Sequence, residues 1–217
     1  MKPRSSAKFP EPDRDRLAGL PPAIHTLPAG SLLWRIYSAA GAFPAAWTGF
    51  RTWGPHARMR FDHHLPGSDG RPVHQERAVL YGAFSIEACL AEYFQTTREI
   101  DPIHPDRPTL TQFVIRRPLY LLNLHGGWLT RAGASLAMST GPRDRTRRWS
   151  RVLHEVYPAM DGLYYGSSMN AGGCSFVLNE RARDALPTDP LLNLGLEDIR
   201  LLPVLMNAGA KLGYALR

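Results

Sequence analysis

The chain is short of cysteine, nearly free of lysine and without a long apolar run. Its 217 residues include only Cys89 and Cys174, too few for a disulfide framework or a thiolate zinc site. That usage fits a reducing cytoplasm. No stretch approaches the roughly 20 apolar residues of a membrane span. The opening MKPRSSAKFPEPDRDR carries charge without the apolar heart of a secretory signal. Several motifs are missing as well. There is no phosphate-cradling GxxxxGK[ST] loop, no GxGxxG after a strand and no HExxH, and no GxSxG elbow. These absences argue against a Rossmann cofactor site, a P-loop, a serine-hydrolase elbow and a thermolysin-like zinc helix.

What is present is an ordinary globular composition with a basic bias. Hydrophobic residues make up 44% and charged residues 21% of the chain, and a chain of this length buries well over half of its unfolded surface. The formal net charge is +7, yet lysine supplies only three of the 26 basic groups, Lys2, Lys8 and Lys211. Arginine forks bind phosphate and carboxylate in a bidentate way, so the excess points to an anionic partner. A GC-rich coding sequence would produce the same bias.

Residues 1–16, charged and proline-containing, are expected to form a mobile arm. Residues 20–30 hold Pro21, Pro22 and Pro28 and read as an irregular lead-in. Strand is expected at 31–37 (SLLWRIY), and 38–75 lacks periodicity. A second strand, ERAVLYGAF (76–84), runs into Ser85, a good helix N-cap. Behind it Ile86, Cys89, Leu90, Tyr93 and Phe94 share one apolar face, with Glu92 at its edge. Strand is expected again at 110–115 and 119–124, interrupted by Arg116, Arg117 and Pro118. Trp149, Val152, Leu153 and Val156 mark an amphipathic helix with an arginine-rich first turn. Short strands at 163–167 and 174–179 flank a turn, and 191–205 reads as helix and strand. Strand clusters with inserted helices make the expected class α+β.

The arginine run from Arg143 to Arg151 is partly self-neutralised, because Asp144 and Arg148 share a helix face. It reads as a solvated face, and with no recognition motif beside it direct nucleic-acid binding is not expected. His56, His63, His64 and His74 lie without ligand spacing, so no metal is expected.

Four polar residues stand out in apolar or glycine-rich surroundings: Arg60 in MRFDHH, Tyr81 in AVLYGAF, Glu92 on the following helix and Ser167 in DGLYYGSS. Taken singly, each has an ordinary explanation. Taken in order, they resemble the RES domain, the family named for its arginine, glutamate and serine. LWRIY (33–37) resembles its opening strand, MRFDHH (59–64) its arginine segment, AVLYGAFSIEACLAE (78–92) its tyrosine strand and glutamate helix, and DGLYYGSS with CSFVLN its closing turn and strand. The resemblance covers about residues 30–186. It departs from the family at Met59, where a glycine is usual, and in a longer connection around 64–75. Arg58 competes with Arg60 for the arginine position.

The resemblance implies the toxin half of a toxin–antitoxin pair, with an Xre-type helix-turn-helix antitoxin as partner. It implies one catalytic domain over 17–217, with an ADP-ribosyltransferase-like fold of two small packed sheets around an NAD+ cleft. NAD+ would be a substrate, not a recycled cofactor. Arg60, helped by Arg35, would hold the pyrophosphate. Tyr81 would stack on nicotinamide, Glu92 would stabilise the oxocarbenium-like ribose, and Ser167 would bind the substrate or orient Glu92. The acceptor is left open among water, phosphate and a protein side chain. A basic nucleic-acid-binding domain without chemistry is the alternative from another class.

Overall fold

A computed structural model describes residues 8–217. Its strands are β1 (Ile24–Leu27), β2 (Leu32–Ser38), β3 (Arg51–Gly54), β4 (Val73–Ala83), β5 (Glu99–Ile100), β6 (Pro108–Val114), β7 (Leu119–Asn123), β8 (Gly162–Gly166), β9 (Cys174–Asn179), β10 (Leu192–Gly195) and β11 (Ala215–Leu216). Its α-helices are α1 (Arg14–Ala18), α2 (Ile86–Tyr93), α3 (Trp128–Ala132), α4 (Ala137–Thr140), α5 (Arg143–Val156) and α6 (Leu202–Leu212).

Nine strands form one sheet in the order β1-β7-β8-β9-β4-β2-β6-β10, with β3 on β4. The sheet has a seam. β2 and β4 meet through one residue pair, Trp34 with Ala83, whereas β2 pairs with β6 over seven residues and β4 with β9 over five. The expected two small sheets are thus two halves of one hydrogen-bonded sheet. A shared core joins them: Leu33 and Phe113 from one half pack with Leu80, Leu121, Phe176 and Leu178 from the other. Gly82 makes the seam possible, since a Cβ there would lie 2.6 Å from the Trp34 carbonyl and 2.3 Å from the Phe176 ring.

The outer faces are covered by helices. Between the parallel neighbours β7 and β8 the chain crosses through α3, α4 and α5, as parallel pairing demands. There Trp128, Trp149, Leu153 and Tyr157 pack on Val79, Leu122, Leu163 and Val177. On the other half, Leu90 of α2 and Leu205 and Ala208 of α6 cover Leu110 and Ile36. β11 closes the chain against β5 in a parallel pair.

Two expectations are corrected. The arm at 1–16 is docked from Phe9 onward, with 1–7 outside the described residues. Phe9 is buried and stacks on Trp149 at 6.1 Å, Glu11 pairs with Arg148 at 2.7 Å, and Leu17 is fully buried. The lead-in and the 38–75 stretch also contain strands, β1 and β3, too short to show a period. At Arg116–Pro118, where the proline implies a bulge, an edge position or a turn, the chain turns and crosses between halves: β6 pairs with β2 and β10, β7 with β1 and β8. Arg117 anchors the crossing on Asp161 at 3.0 Å and Asp184 at 2.7 Å.

Candidate active site

The seam sets the position of α2. Ser85 caps the helix, its Oγ accepting from the Ala88 amide at 3.1 Å. Ala88 and Cys89 press on Ala83, Trp34 and Ile36, small side chains that let the helix lie close to both halves. Glu92 follows Cys89 by one turn and emerges half-buried at the edge of the contact, as its place on the helix face predicts.

Ser167, just after β8, meets it there. Ser167 Oγ donates to Glu92 Oε1 at 2.6 Å and accepts from the amides of Met169 and Asn170, each at 3.1 Å. The turn thus fixes the hydroxyl, and the hydroxyl fixes the carboxylate. A hydrogen bond to a charged group is worth about 1.5–3 kcal/mol.

Arg60 reaches the same space from the loop before β4. It is half-buried and donates to the Gly141 carbonyl at 2.6 Å. Burial and the neighbouring Arg143 lower its pKa, while the charge of Glu92 opposes them. Among the described residues no direct ion pair joins Arg60 to Glu92, so both stay able to engage a ligand. Arg58, the competing assignment, is exposed. The loop is fixed by Asp62, which is fully buried. Its carboxylate accepts from the Arg51 guanidinium at 2.9 Å, the His56 amide at 2.6 Å, the His64 amide at 3.2 Å, and His64 Nδ1. Burial pushes its pKa up, but these donors outweigh burial and hold it well below the usual carboxylate range.

Tyr81 lies on the α5-facing side of β4 with Val79, its Oη buried without a hydrogen-bond partner. Burial, with the charge of Asp62, raises its pKa. Two further residues on this face escaped the sequence reading. Tyr165, two residues before Ser167 on β8, packs against Phe61 in a tilted arrangement with ring centroids 4.3 Å apart. Its pKa is raised well above the ordinary value by burial and by the charge of Glu92. Ser175 on β9 pairs in register with both Ala83 and Tyr165, and its buried Oγ has no partner. The two-residue period, carried back from Ser167 to Tyr165, was the available signal for the first. Nothing local marked the second.

Arg35 is not brought into contact with the Glu92 group. It is 8% exposed on the face of β2 that carries Leu33 and Tyr37. One nitrogen donates to the Gly49 carbonyl at 3.3 Å, while Nε and Nη1 are buried unpartnered. Burial lowers its pKa to about 10. Cys89 lies within electrostatic reach of both Arg35 and Glu92, and burial pushes its thiol up to about 12. A buried cation without a carboxylate is costly, and an anion is the group that would relieve it.

The arginine run on α5 is not the solvated face that its sequence suggests. Arg145 holds the Phe9 carbonyl, Arg147 the Ala57 carbonyl at 2.8 Å, Arg148 Glu11 and Asp144, and Arg151 the His64 carbonyl at 2.8 Å. It ties the N-terminal segment and the Arg60 loop to the helix.

A seam-spanning α+β sheet with a helix-borne carboxylate, a serine in a tight turn and a loop arginine defines an arginine–glutamate–serine centre. The family model described as the RES domain matches residues 32–197. The chain belongs to the RES domain family. No curated protein matches the chain. Among solved structures it is similar to a chain in the crystal structure of the M. tuberculosis MbcT–MbcA toxin–antitoxin complex, with a TM-score of 0.50 and 15% identity, over 84% of this chain and 90% of that one. At that identity the likeness speaks for the fold, which is of the expected α+β class. Among the described residues no helix is long and apolar enough to cross a membrane.

Proposed function

We propose that the protein is the toxin of a toxin–antitoxin pair and cleaves the N-glycosidic bond of NAD+. The observation that carries this reading is the Ser167–Glu92 hydrogen bond at 2.6 Å, made beside a half-buried arginine and a face of buried tyrosines. Breaking the bond between nicotinamide and ribose C1′ sends the electron pair to the nicotinamide ring, which leaves neutral. The ribose is left oxocarbenium-like, as in glycoside hydrolysis. A carboxylate already held in place stabilises that charge, a preorganised contribution worth about 10²–10³ in rate for a single group. Water then adds to C1′ and loses a proton, giving ADP-ribose.

Arg60 supplies a cation for the pyrophosphate; Arg35, buried on the face of β2 turned away from α2, does not share it. Tyr81 and Tyr165 supply aromatic surface for the cationic nicotinamide ring. A protein side chain in place of water would make the reaction ADP-ribosyl transfer, and phosphate would make it phosphorolysis. Product analysis separates them: free ADP-ribose supports hydrolysis, ADP-ribose-1-phosphate phosphorolysis, and label retained on protein transfer. A small helix-turn-helix antitoxin would cover the cleft, and its acidic surface would complement the +7 charge of the chain. The nucleic-acid alternative loses its main support, because the arginines of α5 are engaged within the chain.

A further inference from the structure

Three donors converge on the side of the sheet covered by α5, apart from the Glu92 group. His63 follows Asp62 in the Arg60 loop, His154 lies in the last turn of α5, and Glu180 follows β9. Their ligating atoms all lie within 4.8 Å of one another. His63 Nε2 is 3.2 Å from Glu180 Oε2, and His154 Nε2 is 2.6 Å from Glu180 Oε1. We infer that His63, His154 and Glu180 form a binding site for one divalent transition-metal ion, with zinc the best fit.

The donor set is that of a zinc site with three protein ligands, two imidazoles and a carboxylate. Around a tetrahedral ion at 2.0–2.1 Å, donor atoms stand roughly 3.3 Å apart; His63 Nε2 already sits at about that distance from Glu180, and His154 Nε2, at 2.6 Å, would move outward to admit the ion. Both histidines present the same nitrogen to one carboxylate. Their rings stack at 4.1 Å and 14°, a closeness that suits neutral imidazoles, the ligating form.

The surroundings hold the ligands in place, as an outer shell does around a metal. The Ala78 amide donates to Glu180 Oε2 at 3.0 Å, Arg77 holds the His63 carbonyl at 2.9 Å and Arg181 the His154 carbonyl at 3.1 Å. His154 Nδ1 is buried without a protein partner. A cavity of about 20 Å³ lined by His63, His154, Ser150 and Asn179 lies beside it, room for the one water that this nitrogen needs. Glu180 also lines an open groove with Thr52, Glu76 and Arg183, which connects its carboxylate to solvent. Of the other histidines near by in sequence, His64 is engaged with Asp62 and His74 with Thr52, while His56 Nδ1 accepts from the Arg58 amide. The bound ion would clamp the Arg60 loop, α5 and the end of β9 together.

The test is titration of the purified, chelator-treated full chain with Zn²⁺ and with Co²⁺, the latter read by its visible d–d absorption. One equivalent is expected to bind, with the melting temperature rising by about 5–10 °C at saturating Zn²⁺. Glu180→Gln, which keeps the side-chain shape, and His154→Ala should each weaken binding at least tenfold, while His74→Ala binds as wild type. Absence of stoichiometric binding, or unchanged binding in Glu180→Gln, would overturn the assignment and leave the three residues as a hydrogen-bonded clasp.

Discussion

Ser167 Oγ, held by two backbone amides of its own turn, donates its hydrogen to Glu92 Oε1 at 2.6 Å across 75 residues of sequence. The pair joins α2, which rides on the seam of the sheet, to the end of β8. Its geometry makes Ser167 a positioning residue for the carboxylate. Ser167→Ala is therefore expected to lower kcat for NAD+ consumption about tenfold to a hundredfold, the equivalent of one hydrogen bond to a charged group, with a smaller change in KM. Ser167→Thr, which keeps the hydroxyl, should recover part of the loss. Steady-state kinetics on both variants checks this, and a loss in KM alone would place Ser167 in binding.

The two arginines should behave differently. Arg60→Lys keeps a charge but loses the planar fork, and KM for NAD+ should rise about tenfold or more. Arg35→Met removes a cation that is 8% exposed and has two nitrogens without partners. Replacing such a group with an apolar side chain of similar size should raise unfolding stability by about 1 kcal/mol or more and leave NAD+ binding near wild type. Denaturant unfolding beside NAD+ titration reads both.

Asp62 sets an acid limit on the fold. Its native pKa is held below the usual carboxylate range by His64, Arg51 and the His56 amide. The unfolded chain therefore takes up this proton first as pH falls. The stability it contributes is complete above about pH 4 and is lost below that, toward the native pKa. Unfolding free energies measured from pH 7 to pH 2.5 should show this fall in wild type. Asp62→Asn should be less stable at pH 7 by about 1.5–3 kcal/mol, because Arg51 loses a charged acceptor, and should lack this acid component.

Docking of the N-terminal segment is testable by stability alone. Phe9 is 4% exposed against Trp149, and Phe9→Ala should cost about 3 kcal/mol as a cavity beside the α5 core. A mobile arm would lose nothing on the same substitution, and thermal or denaturant melts separate the two.

These elements differ in how far sequence exposes them. The Ser85 cap, the apolar face of α2 and the alternation of AVLYGAF are local features, so they are legible without a structure. The Asp144–Arg148 pair, read from its spacing, forms at 2.8 Å. Long-range pairing is not legible in this way. Arg116–Pro118 looks like an interrupted strand because a crossing between half-sheets and a bulge carry the same local chemistry. Arg147 and Arg151 look like a solvated face because their acceptors are backbone carbonyls about 90 residues away. His63 pairs with Glu180 at a separation of 117 residues, beyond any spacing rule. Ser175 is an unremarkable strand serine until its neighbours Ala83 and Tyr165 are known.

NAD+ consumption by this chain is proposed to depend on Glu92. The direct measurement is incubation of the purified protein with NAD+, following nicotinamide release, beside Glu92→Gln with an unchanged circular-dichroism spectrum and melting temperature. Turnover by wild type and a loss of about 10²–10³ in the variant are expected. Folded wild-type protein that leaves NAD+ intact, or a Glu92→Gln variant as active as wild type, would contradict that proposal.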